Sequence, residues 1–171
     1  MLAKTALTLL ATLLIAGAGA LRADPSAGAG EQWTVWGGDA GATHFSRLTD
    51  ITPQNVASLQ VAWKHRSGDF ADASGRTRAT SFEVTPLAVN GYIYYCTPFQ
   101  RVFALDPETG TEVWHFDPEL KEKKGEGPYP LNCRGVSYWE DSAAVAGQAC
   151  AKRIFYGTSD AELIAIDADT G

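Results

Sequence analysis

The cysteine and histidine side chains are the first candidates for covalent or metal chemistry in this chain. They are Cys96, Cys133, Cys150, His44, His65 and His115. The cysteines show no C-x-x-C spacing, and the histidines share no spacing that is typical of metal ligands. The sequence therefore predicts neither a zinc site nor a dithiol redox centre.

A disulfide is the remaining use for the thiols, because a protein in an oxidising compartment can oxidise one pair of them. The three cysteines leave three pairings open. We predict that Cys133 pairs with Cys150, since the segment between them has no regular pattern. The alternative is that all three are buried, unreactive thiols.

The overall charge limits the classes of partner. The 171 residues contain 14 Lys and Arg against 20 Asp and Glu, which gives a formal net charge of −6 at pH 7. Nucleic-acid binding needs clustered basic side chains, which the sequence lacks. We therefore expect no nucleic-acid partner, and consider small molecules and proteins instead.

The first 23 residues have the composition of a secretory signal peptide. Lys4 supplies the basic start, residues 6–16 are almost wholly apolar, and small residues follow through Ala20. The apolar run is shorter than the roughly 18–20 residues that a spanning helix needs. We expect export to the periplasm, with an uncleaved anchor at the inner membrane as the alternative. Residues 24–31, rich in Ala, Gly, Ser and Pro, are predicted to be a linker.

Residues 32–171 have the pattern of short β-strands separated by turns, with no stretch of helical period. Strands are predicted at residues 60–66, 84–89, 92–97, 101–105, 112–116, 153–157 and 163–166. Asn90-Gly91 lies between two of them and favours the positive φ angles of a two-residue hairpin. The 17 glycines and five tryptophans also suit short strands and tight turns. The predicted fold class is all-β.

An internal repeat indicates the kind of all-β fold. Residues 104–110, ALDPETG, recur 61 residues later as AIDADTG at 165–171, and the first copy continues to Trp114. Strand repeats of this size indicate blades of a β-propeller. The chain would hold about two blades, fewer than the usual 4–8 of a closed ring. We expect it to contain only the first blades, and to be weakly stable and catalytically silent alone.

Several motifs outside the repeat follow one another in a recognisable order. They are WGGD at 36–39, THFSRL at 43–48, ITPQNVASLQVAW at 51–63, FEVTPL at 82–87, CTPFQRVFALD at 96–106 and NCRGVSY at 132–138. The series resembles the quinoprotein dehydrogenases that use pyrroloquinoline quinone (PQQ), in particular their glucose, quinate and shikimate branch. The resemblance covers residues 32–171.

This resemblance implies an eight-bladed β-propeller in the complete protein, with PQQ on the axis beside a calcium ion. It implies oxidation of a sugar, polyol or other alcohol, with electrons passed to a membrane quinone or a cytochrome. The family's catalytic base and its calcium ligands come from later blades, so we expect neither in these residues. Trp63 and Trp114 resemble the family's docking tryptophans, which pack one blade against the next.

Three cofactor contacts are implied by the matching motifs. Glu83 matches a carboxylate beside PQQ, Arg134 a guanidinium at the quinone, and Thr158 a hydroxyl that binds a PQQ carboxylate. Arginine suits this role, because its fork of donors stays charged at any working pH. The alternatives are a structural ion pair for Arg134, a strand-edge carboxylate for Glu83 and a β-forming residue at Thr158.

Two further features bear on the substrate and on the class of protein. Trp139 follows the RGVSY motif, where sugar-oxidising relatives tend to carry His, so we place Trp139 in the substrate pocket and question glucose as the substrate. Arg76 and Arg78 could help to hold PQQ carboxylates, although a solvated loop is the preferred interpretation. The rival class is a non-catalytic periplasmic propeller that serves as an interaction scaffold, in which Glu83, Arg134 and Thr158 would diverge.

Overall fold

The computed structural model of the protein describes residues 32–72, 79–120 and 130–171. The predicted signal peptide, the linker, Arg76 and Arg78 lie outside these residues. Within them, no helix is long and apolar enough to span a lipid bilayer.

The described residues form seven strands in two antiparallel sheets. The strands are β1 Leu87–Val89, β2 Tyr92–Cys96, β3 Val102–Leu105, β4 Glu112–Phe116, β5 Ser137–Glu140, β6 Lys152–Gly157 and β7 Leu163–Asp167. The first sheet has the order β1-β2-β3-β4 and the second the order β5-β6-β7. Both are meanders, in which each strand pairs with the next along the chain, and the all-β prediction is confirmed.

The Asn90-Gly91 turn forms as predicted. It joins β1 to β2 with Val89 opposite Tyr92. The φ angles of Asn90 and Gly91 are 56° and 76°. Positive φ at both central residues matches the right-handed twist of the flanking strands, so this dipeptide sets the register of the first hairpin.

The core lies between the two sheets, and it follows from alternation along the strands. Side chains of one face of the first sheet pack against one face of the second. They are Leu87, Val89, Tyr94, Cys96, Val102, Ala104 and Trp114 from the first, with Val136, Ile154, Tyr156, Ile166 and Ala168 from the second. The opposite face of the first sheet carries a smaller cluster of Tyr95, Phe103 and Leu105. Each sheet is therefore a layer that needs a neighbour on its apolar face.

Two tryptophans dock on the two copies of the repeat. The indole N–H of Trp63 donates to the carbonyl of Pro107 at 3.0 Å, and that of Trp114 donates to the carbonyl of Ala168 at 3.1 Å. Each ring also covers the glycine that ends the repeat, Gly110 or Gly171, so closely that a Cβ there would meet the ring. The sequence interpretation of both tryptophans as packing residues is confirmed.

The turn of each repeat is held by its aspartate. Asp106 accepts hydrogen bonds from the backbone N–H and the hydroxyl of Thr109 at 2.8 and 2.9 Å. The Thr109 amide holds the pKa of Asp106 below its usual value. Asp167 accepts the matching pair of bonds from Thr170, both at 3.0 Å. The repeat in the sequence is thus a repeat of one hydrogen-bonded turn.

The segment predicted as a strand at 60–66 is not a strand. It runs as extended chain across the first sheet and turns alternate side chains inward, Trp63 and His65 among them. It has no ladder partner in the part of the chain that the structure describes. The predicted strand at 84–89 shortens to β1, and β5 forms where no strand was predicted.

The predicted pairing of Cys133 with Cys150 is wrong. Cys133 is bonded to Cys96, with the two Cα atoms 5.8 Å apart and a sequence separation of 37. Cys96 ends β2 in the core, and the second sheet brings Cys133 to it, whereas Cys150 is an exposed thiol. The irregular segment between Cys133 and Cys150 was no guide to the pairing, because packing of the two sheets decides which cysteines meet.

A glycine substitution tests the docking. Gly110→Ala should destabilise the full-length protein more than Gly91→Ala, although both glycines have positive φ, 69° and 76°. The new Cβ meets the Trp63 ring at Gly110, whereas it meets nothing within 4 Å at Gly91. The backbone penalty of about 1 kcal/mol is shared, and overpacking should add about 1–3 kcal/mol at Gly110. Urea unfolding followed by tryptophan fluorescence measures both, and equal losses would show that the Trp63 contact is loose.

Candidate cofactor site

Two extended segments, residues 79–85 and 131–135, lie side by side before the two sheets begin. The Leu131 amide donates to the carbonyl of Ala79 at 2.7 Å, and the Leu131 carbonyl accepts from the Ser81 amide at 2.9 Å. Further along, the Thr85 amide donates to the carbonyl of Arg134 at 3.3 Å. The pairing holds the backbone on either side of Glu83 beside the backbone of Arg134.

The predicted carboxylate and guanidinium meet as a result. Nε of Arg134 lies 3.4 Å from Oε2 of Glu83, which also accepts from the side-chain Nδ2 of Asn132 at 3.3 Å. The Ser81 hydroxyl donates to the other carboxylate oxygen at 2.7 Å. The Arg134 side chain is 82% exposed, so most of its guanidinium faces outward from the pair. Glu83 therefore orients Arg134 through its Nε, and the rest of the guanidinium stays accessible.

The disulfide fixes the residue that precedes Arg134. Both Cys96 and Cys133 are buried, and Cys96 joins the first sheet to this segment covalently. Since a backbone atom next to a cross-link cannot move far, Arg134 is anchored at its base while its side chain stays exposed. The sequence analysis missed this connection, although Cys133 stands beside Arg134 in the NCRGVSY motif.

Thr158 lies apart from that pair, in the turn between β6 and β7. Its amide donates to the carbonyl of Glu162 at 2.8 Å, and its hydroxyl oxygen accepts from the Glu162 amide at 3.2 Å. An accepting hydroxyl keeps its own proton for another acceptor. The structure thus joins Glu83 to Arg134 directly, and it places Thr158 on the second sheet with a donor to offer.

Trp139 lies on β5 and is 46% exposed. The guanidinium of Arg153, its partner across the β5–β6 pair, lies 5.5 Å from the centre of the Trp139 ring. This is the distance of a cation–π contact. The neighbouring Tyr138 packs against the core, so Trp139 is on the opposite face of the second sheet. Its role in a substrate pocket stays a prediction.

The sequence analysis missed a buried ion pair at the turn between β2 and β3. Asp69 is 8% exposed and receives two hydrogen bonds from Arg101, at 2.9 Å from Nε and 2.6 Å from a terminal nitrogen. The hydroxyl of Thr97 donates to the same carboxylate. The Asp69 hydrogen bond raises the pKa of the Arg101 guanidinium further. The partners are 32 residues apart, and no local pattern connects them.

Two stacked antiparallel meanders, locked by tryptophans that dock on a repeated turn, are blades of a β-propeller. Comparison of the sequence with known families identifies which propeller family this is. Residues 33–171 match the β-propeller domain of the PQQ-dependent glucose, ethanol and alcohol dehydrogenases, and the chain belongs to that family. The expected resemblance is therefore confirmed.

Individual relatives agree with the family. The chain is 40% identical over 147 residues to the quinoprotein glucose dehydrogenase of Escherichia coli (strain K12), covering 84% of this chain and 18% of the relative. It is 37% identical over 149 residues to the glycerol dehydrogenase large subunit of Gluconobacter oxydans (strain 621H), covering 87% and 19%. The crystal structure of quinohemoprotein alcohol dehydrogenase from Comamonas testosteroni superposes with a TM-score of 0.65 at 30% identity, covering 82% and 18%. The chain thus spans about a fifth of the length of these relatives.

The donors of Arg134 and Thr158 fit the family's cofactor. PQQ is a planar tricarboxylate with adjacent carbonyls, so it needs fixed positive charge and N–H or O–H donors. Arg134 presents a guanidinium and Thr158 a hydroxyl proton, while Glu83 is already occupied in holding Arg134. Among the described residues, no group of three or more His, Cys, Asp or Glu side chains is arranged to hold a metal ion.

The buried ion pair gives a stability prediction. Asp69→Asn should lower the free energy of unfolding by about 3 kcal/mol, because it leaves the partly buried Arg101 charge without its partner. The matched control is Asp169→Asn, which weakens a 3.8 Å pair between Lys152 and a 52% exposed carboxylate. That change should alter the free energy by no more than about 1 kcal/mol. Urea titration of both variants at pH 7 measures the difference, and similar losses would contradict a special role for Asp69.

Proposed function

We propose that this chain is part of a periplasmic PQQ-dependent dehydrogenase that oxidises the CH–OH group of a sugar, polyol or other alcohol. Membership of the PQQ family supports the class of reaction. The observation that carries the proposal for these residues is the Glu83–Arg134 pair, which stands on cross-linked backbone with its guanidinium presented. A scaffold has no need of such an arrangement.

Each residue has a distinct task in this proposal. Arg134 would hold oxygens of PQQ with a charge that does not titrate, and is suited to stabilise negative charge there. Glu83 would hold the Arg134 guanidinium in one orientation. Thr158 would donate a hydrogen bond from its hydroxyl to a PQQ carboxylate. When bound, PQQ supplies the two-electron acceptor chemistry, and a calcium ion held by residues outside this chain would lie beside it.

The substrate proposal is coarser. The relatives named above are dehydrogenases of glucose, glycerol and alcohols, so we propose a CH–OH substrate without choosing among them. Trp139, in place of the His of sugar-oxidising relatives, makes glucose the less favoured member. The electron acceptor in this proposal is a membrane quinone or a cytochrome.

The first test is dye-linked oxidation by the full-length protein. A panel of sugars, polyols, quinate and simple alcohols is offered with and without added PQQ and calcium. We expect turnover of at least one substrate only when both are added. No turnover, together with no PQQ retained by the protein, would favour the scaffold.

A substitution tests the role of Arg134 in binding. Arg134→Lys keeps the charge and loses the fork, so the affinity of the full-length apoprotein for PQQ should fall by about 10- to 100-fold. Arg66→Lys, at an exposed arginine, is the matched control and should leave the affinity unchanged. The measurement is a PQQ titration in the presence of calcium. If Arg134→Lys bound PQQ as tightly as the control, Arg134 would be a structural residue only.

A further inference from the structure

The turn between β2 and β3 carries a buried amide side chain that the proposed function leaves unexplained. Gln100 is 6% exposed and has a φ of 61°, a conformation that glutamine rarely adopts. Its backbone amide donates to the carbonyl of Thr97 at 2.7 Å. A long polar side chain held in a tight turn and buried needs a partner.

The partner of Gln100 is on the other sheet. The backbone N–H of Ser159 donates to Oε1 of Gln100 at 2.8 Å, across 59 residues of sequence. Ser159 is the residue after Thr158, in the turn between β6 and β7. One side chain of the first blade therefore holds the backbone that carries the proposed hydroxyl contact.

The same turn is fastened to the other half of the site. Cys96 immediately precedes it and is bonded to Cys133, the neighbour of Arg134. Within the turn, the Thr97 amide donates to the carbonyl of Arg101 at 2.9 Å, and the Arg101 amide donates to the Thr97 hydroxyl at 3.2 Å. Asp69 also accepts from both of these side chains. The turn is thus held by hydrogen bonds, and it connects the segment that carries Arg134 to the segment that carries Thr158.

We propose that Gln100 is a positioning residue for PQQ, which acts through Thr158. Its hydrogen bond to Ser159 sets where the Thr158 hydroxyl stands relative to Arg134, because the disulfide holds Arg134 to the other end of the same turn. This proposal rests on the function proposed above. It adds Gln100, a residue that does not contact PQQ.

Gln100→Asn separates positioning from turn formation. Asparagine accepts positive φ more readily than glutamine, so the backbone of the turn is preserved. Its side chain is one methylene shorter, so the amide no longer reaches Ser159. The full-length apoprotein should stay folded with a slightly lower urea midpoint, exchange the Ser159 amide hydrogen faster, and bind PQQ about fivefold more weakly in the presence of calcium. Unchanged exchange or unchanged affinity would overturn the proposal.

A double-mutant cycle tests whether the effect passes through Thr158. Thr158→Val removes the hydroxyl with little change of shape and should itself weaken PQQ binding. In that background Gln100→Asn should weaken it less than about twofold further, because the hydroxyl that it positions is gone. Additive losses would mean that Gln100 acts elsewhere and would overturn the proposal. Normal PQQ binding by Thr158→Val would also overturn it. In that case the Arg134→Lys measurement would still test the proposed function separately. Failure of the unmodified apoprotein to bind PQQ would overturn both.

Discussion

The contact between an indole ring and a glycine backbone is the interaction on which the rest of this structure depends. Trp114 reaches from the edge of the first sheet to the end of the second, where its ring covers Gly171, which has no Cβ, and its indole N–H donates to the carbonyl of Ala168. This contact sets the distance between the sheets. The core, the disulfide and the alignment of the loops that carry Arg134 and Thr158 all require that distance.

The candidate site is assembled by further covalent and polar connections. Paired extended segments bring Glu83 to Arg134, and the disulfide ties their backbone to the first sheet. Asp69 and Arg101 brace the turn between β2 and β3. Arg134 and its partner Glu83 are exposed, whereas the disulfide and Asp69 are buried. Rigid, buried support for an accessible donor is the arrangement expected of a preorganised binding site.

The sequence predicts well the features that depend on neighbours along the chain. The Asn90-Gly91 hairpin, most strands and the docking turns follow from local chemistry, and the repeat identifies both tryptophans as packing residues. The motif series identifies the family, and the motif residues Glu83 and Arg134 do meet.

The features that the sequence does not predict connect distant segments. The Cys96–Cys133 bond, the Asp69–Arg101 pair and the Gln100–Ser159 hydrogen bond join residues that only the packing of sheets and loops brings together. No local periodicity in the sequence indicates that such distant residues come into contact. The prediction of a strand at 60–66 is wrong for a different reason. The alternation of its side chains is genuine, but a strand is defined by its pairing with a neighbouring strand.

The docking hydrogen bonds are made to main-chain carbonyls, at Pro107 in one copy and at Ala168 in the other. Because the indole recognises the course of the backbone, proline and alanine serve equally well at that position. A duplicated blade can therefore change most of its side chains without altering the pitch at which it stacks. The aspartate, the threonine and the glycine of the turn are the same in both copies, because each makes a contact that needs its own chemistry. This separates assembly from specialisation, so each blade can acquire its own loop residues around a shared axis.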